Sequence, residues 1–215
     1  MSLYAPAPGP VCYIHRDAHL ILIDKPSGLL SVPGRGADKA DCAITRVQAE
    51  FPDALTVHRL DMATSGLLMM ARSKEMQRAL SGLFERGEVE KSYLADVCGT
   101  PAPASGEIDL PLITDWPRRP LQKVDPELGK PSRTLYETLS VTAGTARLKL
   151  TPLTGRSHQL RVHLAAIGHP ILGDEFYASG EALAARPRLA LHAARLALAH
   201  PATNERMEFE APCPF

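Results

Sequence analysis

No apolar run in this chain approaches the roughly 20 residues that span a bilayer. Its opening, MSLYAPAPGPVCY, lacks a basic stretch followed by an apolar one. The expectation is a cytoplasmic protein with no membrane partner. Cysteine is scarce: Cys12, Cys42, Cys98 and Cys213 lie far apart, with no C-x-x-C and no ligand-like pairing with histidine, so neither a disulfide framework nor a zinc module fits. Net charge is absent as well, 24 Lys+Arg standing against 24 Asp+Glu, which excludes a uniformly basic nucleic-acid coat and leaves room for a local one. No repeat and no Pro/Ser/Gly linker divides the 215 residues. The reading is an extended Pro-rich leader over 1–10 followed by one domain over 11–215.

What is present is an ordinary globular balance, 45% hydrophobic and 22% charged, with 19 prolines and 15 glycines that favour strands and tight turns over a helix bundle. His19-Leu-Ile-Leu-Ile-Asp24 reads as a buried strand stopped by Lys25-Pro26-Ser27-Gly28, and Gly66 to Ala71 as another. Ser73 can cap a helix with apolar Met76, Leu80, Leu83 and Phe84 on one face, ended by Gly87. Residues 91–97 and 147–151 alternate as half-buried strands do, and 135–141 is expected to pair near the second. A second helix is predicted from about Ser157 to Ile167, closed by Gly168-His169-Pro170, with short strands following around 189–199 and 207–210. The fold class is α+β, helices packed on a sheet.

Two polar clusters stand out. Val57-His58-Arg59-Leu60-Asp61 places an imidazole, a guanidinium and a carboxylate directly before an apolar strand; it is either a solvated loop with a local ion pair or a carboxylate nucleophile or base at the floor of a cleft. Thr154-Gly155-Arg156-Ser157-His158-Gln159-Leu160-Arg161 opens the second helix, where Arg161 shares a side with Ser157 and His158 and could point inward at a carboxylate.

These segments carry a resemblance. His58-Arg59-Leu60-Asp61 with Thr64-Ser65-Gly66, Lys25-Pro26-Ser27-Gly28-Leu29, Gly155-Arg156-Ser157-His158-Gln159-Leu160-Arg161 and His169-Pro170-Ile171-Leu172-Gly173-Asp174 stand in the order found in RNA pseudouridine synthases of the large-subunit type. The chain resembles that family from about Val11 to its end. The 111–120 segment and Gly129-Lys-Pro131 are most similar to short bacterial members acting on both 23S rRNA and tRNA. Relatives often carry an S4-type RNA-binding domain, and none is expected here before Val11. The resemblance implies a long mixed, mostly antiparallel sheet with a central catalytic cleft. It assigns Asp61 as the essential aspartate, Arg161 as the arginine paired with it, Tyr93 as the tyrosine stacked on the uracil, and Arg59 as the side chain that fills the place of the departed base. No metal and no cofactor is implied, and no obligate protein partner; a monomer is expected.

The implied reaction breaks the N1–C1′ bond of a uridine, turns the uracil and joins C5 to C1′, so it needs a carboxylate, a counter-charge and a means of holding the freed base. A stacked uridine is out of reach, which makes a flipped base in an RNA loop the expected substrate. The implied targets are uridine 746 of 23S rRNA and uridine 32 in the tRNA anticodon stem-loop. Charge supports an RNA partner: residues 116–161 hold nine Lys/Arg and three Asp/Glu, a net +6, so the remainder carries −6. Arg118, Arg119 and Lys123, on a loop with Trp116, are read as phosphate contacts, with His58, Arg156 and His158 as further RNA contacts. Two rivals are weighed. A non-catalytic RNA-binding module would use the same basic face but has no need of Asp61, and a glycoside hydrolase would need a second carboxylate that the sequence does not place beside it.

Overall fold

The computed structural model describes residues 4–215. In chain order the strands are β1 (Cys12–Arg16), β2 (Leu20–Lys25), β3 (Leu55–Thr56), β4 (Ser65–Ala71), β5 (Glu90–Cys98), β6 (Ser105–Asp109), β7 (Leu112–Thr114), β8 (Gln122–Val124), β9 (Arg133–Thr142), β10 (Thr145–Pro152), β11 (Leu191–Ala199) and β12 (Arg206–Glu210). The α-helices are α1 (Ala43–Gln48), α2 (Lys74–Arg86), α3 (Gln159–Ala166) and α4 (Gly180–Ala184). Strands dominate and helices are few and short, the expected α+β class. Two compact units form: residues 1–91 with 193–214, and residues 92–192 with Phe215.

In the first unit β2 pairs antiparallel with β1 and with β4, β3 pairs with the end of β4, and β11 lies beside β4 and pairs antiparallel with β12. Leu20 and Leu22, Leu67 and Met69, and Leu196 and Leu198 project from one face by the two-residue period of strands, and Met76 and Leu80 of α2 pack on them. The alternate residues Ile21, Ile23, Leu68 and Met70 are buried too, so β2 and β4 read as continuous apolar runs rather than alternating ones. Helix α2 has the predicted ends: the Ser73 hydroxyl accepts the Met76 N–H at 3.1 Å, and Gly87 turns left-handed at φ 74°. At the head of β4, Gly66 has φ 110°, and a Cβ there would stand 2.3 Å from the Ala193 carbonyl oxygen. Only glycine lets β4 and β11 approach so closely.

The leader is tied down in its described part. Tyr4 donates its hydroxyl proton to the Asp41 carbonyl at 2.9 Å and accepts the Leu30 N–H at 3.0 Å. Residues 1–3 of the predicted leader lie outside the described residues.

In the second unit β10 pairs antiparallel with β5 and β9, and β9 with β6. The predicted pairing of 135–141 with 147–151 is thus present. The segment of Trp116, Arg118, Arg119 and Lys123, read from sequence as a loop, belongs to a hairpin in which β7 pairs with β8 and the tip holds a 3₁₀ turn over Trp116–Arg118. Three-residue strands around a proline-bearing tip are too short to show a period. The segment nevertheless closes because Leu112 is buried and Gly129 passes close enough that a Cβ would meet the Asp125 carbonyl at 2.3 Å.

Candidate active site

In the first unit Asp61 sits on the turn between β3 and β4, and its carbonyl accepts the Thr64 N–H at 3.1 Å. The residues around it are held from both directions. Ser31 Oγ donates to the Leu60 carbonyl at 2.7 Å and accepts the Leu60 N–H at 3.0 Å, clamping the peptide units between Arg59 and Asp61. On the other side the Lys25-Pro26-Ser27-Gly28-Leu29 turn wraps the segment. The Gly28 N–H donates to the Met62 carbonyl at 2.8 Å, and Ser27 Oγ to that of Ala63 at 2.7 Å. Lys25, with no exposed surface, donates its ammonium protons to the carbonyls of Pro26, Leu29 and Met62 at 2.9, 2.7 and 3.1 Å. A buried ammonium is tolerated only where its protons are taken up, and here the carbonyls are those of the two turns it ties together. The sequence marks this five-residue segment as a motif; its service as a cradle for the aspartate turn emerges from the fold.

His58 and Arg59 differ in use. The Arg59 side chain is exposed. His58 Nε2 accepts the Met69 N–H at 3.0 Å, and its ring stacks on Phe84 with centroids 4.4 Å apart. Burial first, and the nearby Lys91 ammonium second, push its pKa down to about 3. The imidazole is therefore neutral near neutral pH, with its proton on Nδ1, and the side chain that the sequence assigns to RNA is engaged in anchoring the start of the loop to β4.

In the second unit Tyr93 lies on β5 opposite Leu150 of β10. Arg161, 3% exposed on α3, gives Nε to Asp174 Oδ2 at 2.8 Å and one terminal nitrogen to Oδ1 at 2.6 Å, and Asp174 has no exposed surface. This two-pronged ion pair is further ordered by the Phe176 and Tyr177 N–H groups, which reach Asp174 Oδ1 at 2.9 and 3.3 Å. The rings of the same two residues lie 5.0 and 5.2 Å from the guanidinium carbon. Asp174, which ends the quoted His169 to Asp174 segment, is thus the partner of Arg161, a pairing that the sequence reading did not assign.

His158 begins α3 in the left-handed conformation (φ 54°), makes a 2.7 Å hydrogen bond from Nδ1 to the Tyr177 hydroxyl and stacks on Phe176. Gln159 Oε1 accepts from Thr154 Oγ1 and the Arg156 N–H at 2.7 and 3.0 Å, while its amide nitrogen donates to the Arg133 carbonyl at 2.9 Å. These bonds set the entry of α3. Arg156 remains exposed, and its Nε lies 3.3 Å from the Pro131 carbonyl oxygen. At the hairpin tip Arg118 pairs with the buried Asp115 at 2.5 Å, Lys123 with Asp125 at 2.9 Å, and the Arg119 guanidinium lies 3.7 Å from the centre of the Trp116 ring. The predicted basic loop is an ordered, partly self-neutralised tip. Among the described residues no group of three or more His, Cys, Asp and Glu is placed to hold a metal ion, and no helix is long and apolar enough to cross a membrane.

Comparison with known proteins gives one answer. Residues 19–166 match the RNA pseudouridylate synthase family. Over 217 aligned residues the chain is 52% identical to the Dual-specificity RNA pseudouridine synthase RluA of Escherichia coli (strain K12), covering 100% of this chain and 99% of that one. The protein of the same name from Yersinia pestis is 51% identical over 203 residues, 94% of this chain and 98% of the other. Among solved structures, Human RNA Pseudouridylate Synthase Domain Containing 1 superposes with a TM-score of 0.79 at 30% identity, over 97% of this chain and 87% of that one.

Proposed function

This chain belongs to the RNA pseudouridylate synthase family, and from that membership we propose that Asp61 is the carboxylate through which it works and that it acts on both 23S rRNA and the tRNA anticodon stem-loop. The chain is an RNA pseudouridine synthase, isomerising uridine to pseudouridine in RNA. The observation that supports Asp61 most is the fixed backbone on either side of it, held by Ser31 at Leu60 and by Lys25 and Gly28 at Met62. A catalytic group that must meet a sugar carbon within a few tenths of an ångström gains from such preorganisation.

In the proposed reaction the uridine leaves its stack and Arg59, exposed two residues before Asp61, fills the vacancy. Asp61 attacks the substrate or removes a sugar proton as the N1–C1′ bond breaks; the uracil turns, and as C5 joins C1′ the bond to Asp61 breaks or the sugar proton returns. Tyr93 stacks on the base and its phenol moves the proton that leaves C5, while N1 gains one, so the product has the mass of the substrate. Arg161, held in place by Asp174, is the counter-charge that the reaction calls for. Arg118, Arg119, Lys123 and Arg156 meet phosphate, His158 lies with them at the RNA, and His58 holds the catalytic loop in place. The protein works as a cytoplasmic monomer, with residues 11–215 as the catalytic domain and no bound cofactor.

The test is tritium release from C5-labelled uridine in a stem-loop RNA, with the product checked for unchanged mass. Wild-type protein releases tritium and retains mass. Asp61→Asn keeps the size and polarity of the side chain and removes its charge, so it loses turnover by at least roughly 10⁴-fold while RNA affinity and folding stay near wild type, on the order expected for loss of a covalent catalyst. Appreciable turnover by Asp61→Asn removes Asp61 from this role.

A further inference from the structure

Trp116 is the one tryptophan in the chain and is 63% exposed, an unusual place for so large an apolar ring. It stands at the start of the 3₁₀ turn that tips the β7–β8 hairpin, and that tip is rigid. The Asp115 N–H donates to the Leu121 carbonyl at 2.9 Å, the Arg118 N–H to the Asp115 carbonyl at 3.0 Å and the Leu121 N–H to the Arg118 carbonyl at 3.0 Å. Arg118 is also tied to the Asp115 carboxylate, and the Gln122 N–H donates to the Tyr177 hydroxyl at 2.9 Å. The Arg119 guanidinium lies over the indole at 3.7 Å and covers one face.

From these observations we propose that the uncovered face of Trp116 is a stacking platform for one unpaired base of the substrate RNA, outside the flipped uridine. The proposal rests on the reading of the chain as an RNA pseudouridine synthase. A rigid indole costs little entropy to engage, offers its face to any base, and is polarised by the cation behind it. The surroundings favour a nucleotide over an apolar peptide: Arg118, Arg119, Lys123 and Lys130 flank the ring in sequence, and the nearby acids Asp115 and Asp125 are already paired with Arg118 and Lys123. A flexible basic arm would touch phosphate alone. A fixed aromatic with an arginine at its back reads whether a nucleotide is unstacked, which makes it a device for choosing loops over stems.

The sole tryptophan reports on itself. The wild-type chain is titrated with an anticodon stem-loop RNA and with a blunt duplex of the same stem, following indole emission, acrylamide quenching and RNA anisotropy, with uridine isomerisation measured in parallel. The expected result is that the stem-loop quenches the emission and shields it from acrylamide, while the duplex does neither. Trp116→Ala binds the stem-loop about tenfold more weakly with the same salt slope, whereas Trp116→Phe stays within about threefold of wild type. Unchanged emission in a preparation that binds and isomerises the stem-loop overturns the platform and leaves the enzyme reading intact. Absence of both binding and isomerisation overturns that reading and the platform with it. Emission that responds to the duplex as strongly as to the stem-loop overturns the choice of an unpaired base.

Discussion

Tyr93 and His58 show how much a single side chain's role depends on which of its properties is used. Tyr93 offers both a flat ring and a phenol, and Tyr93→Phe separates them: the expected outcome is stem-loop affinity within about twofold of wild type and turnover lowered by roughly 10²-fold or more, on the order of a lost general acid-base group. Equal turnover for the two residues would reduce Tyr93 to a stacking surface. His58 is used in its neutral form, with a pKa driven to about 3 by burial and by Lys91. The unfolded chain takes up a proton at this position as pH falls below about 6.5, and the folded chain does not. The stability due to neutral His58 is thus fully present above about pH 6.5 and is lost as pH falls towards about 3, at up to about 1.4 kcal/mol per pH unit. Urea unfolding at pH 7 and pH 5 should show wild type losing about 2 kcal/mol more than His58→Gln, which can still accept from Met69 but does not titrate. Identical losses would mean that the imidazole does not resist protonation.

Between elements, the Arg161–Asp174 pair joins α3 to the turn that follows His169-Pro170, and both partners are almost wholly shielded from water. Removing one partner strands a buried charge, so Arg161→Met and Asp174→Asn are each expected to cost about 3 to 5 kcal/mol in denaturant unfolding. The double variant removes both charges together and should lose clearly less than the sum of the two single losses. Additive losses would show that the two groups stabilise the fold independently. Arg161→Met is also expected to be nearly inactive, because we propose its guanidinium as the counter-charge of the reaction.

For the molecule as a whole, zero net charge coexists with a +6 balance over residues 116–161, and salt dependence is where that asymmetry is measured. Replacing Arg118, Arg119 and Lys123 together by Ala should weaken RNA binding and flatten the slope of log affinity against log salt by roughly 0.7 to 0.9 for each phosphate no longer neutralised. The pairing of Arg118 with Asp115 and of Lys123 with Asp125 adds to the effect on affinity, since the variant leaves two carboxylates of the hairpin without their cations. An unchanged slope would place the phosphates on another part of the surface.

The amino-acid order alone determined those features that rest on local rules. Helix α2 is legible because Ser73, an apolar face at helical spacing and Gly87 all agree, and β2 and β4 because aliphatic runs bounded by turn residues have few other uses. The α+β class was legible from the same elements, whereas Asp61 stood in the sequence as either a solvated loop charge or a cleft carboxylate, and the resemblance rather than the local pattern chose between them. Helix α1 was not legible. It is six residues long and capped by Cys42 through Thr45, and cysteine carries no capping signal. The β7–β8 hairpin escaped because three residues show no period. The partners of buried charge were decided only by tertiary structure. Lys25 precedes a proline and reads as a turn residue, yet its ammonium joins carbonyls up to 37 positions away. Asp174 closes a quoted segment with no partner assigned to it, yet it receives a guanidinium from 13 positions earlier. Burial turns an ordinary charge into one that must find a partner, and burial is a property of the assembled chain that spacing along it does not encode.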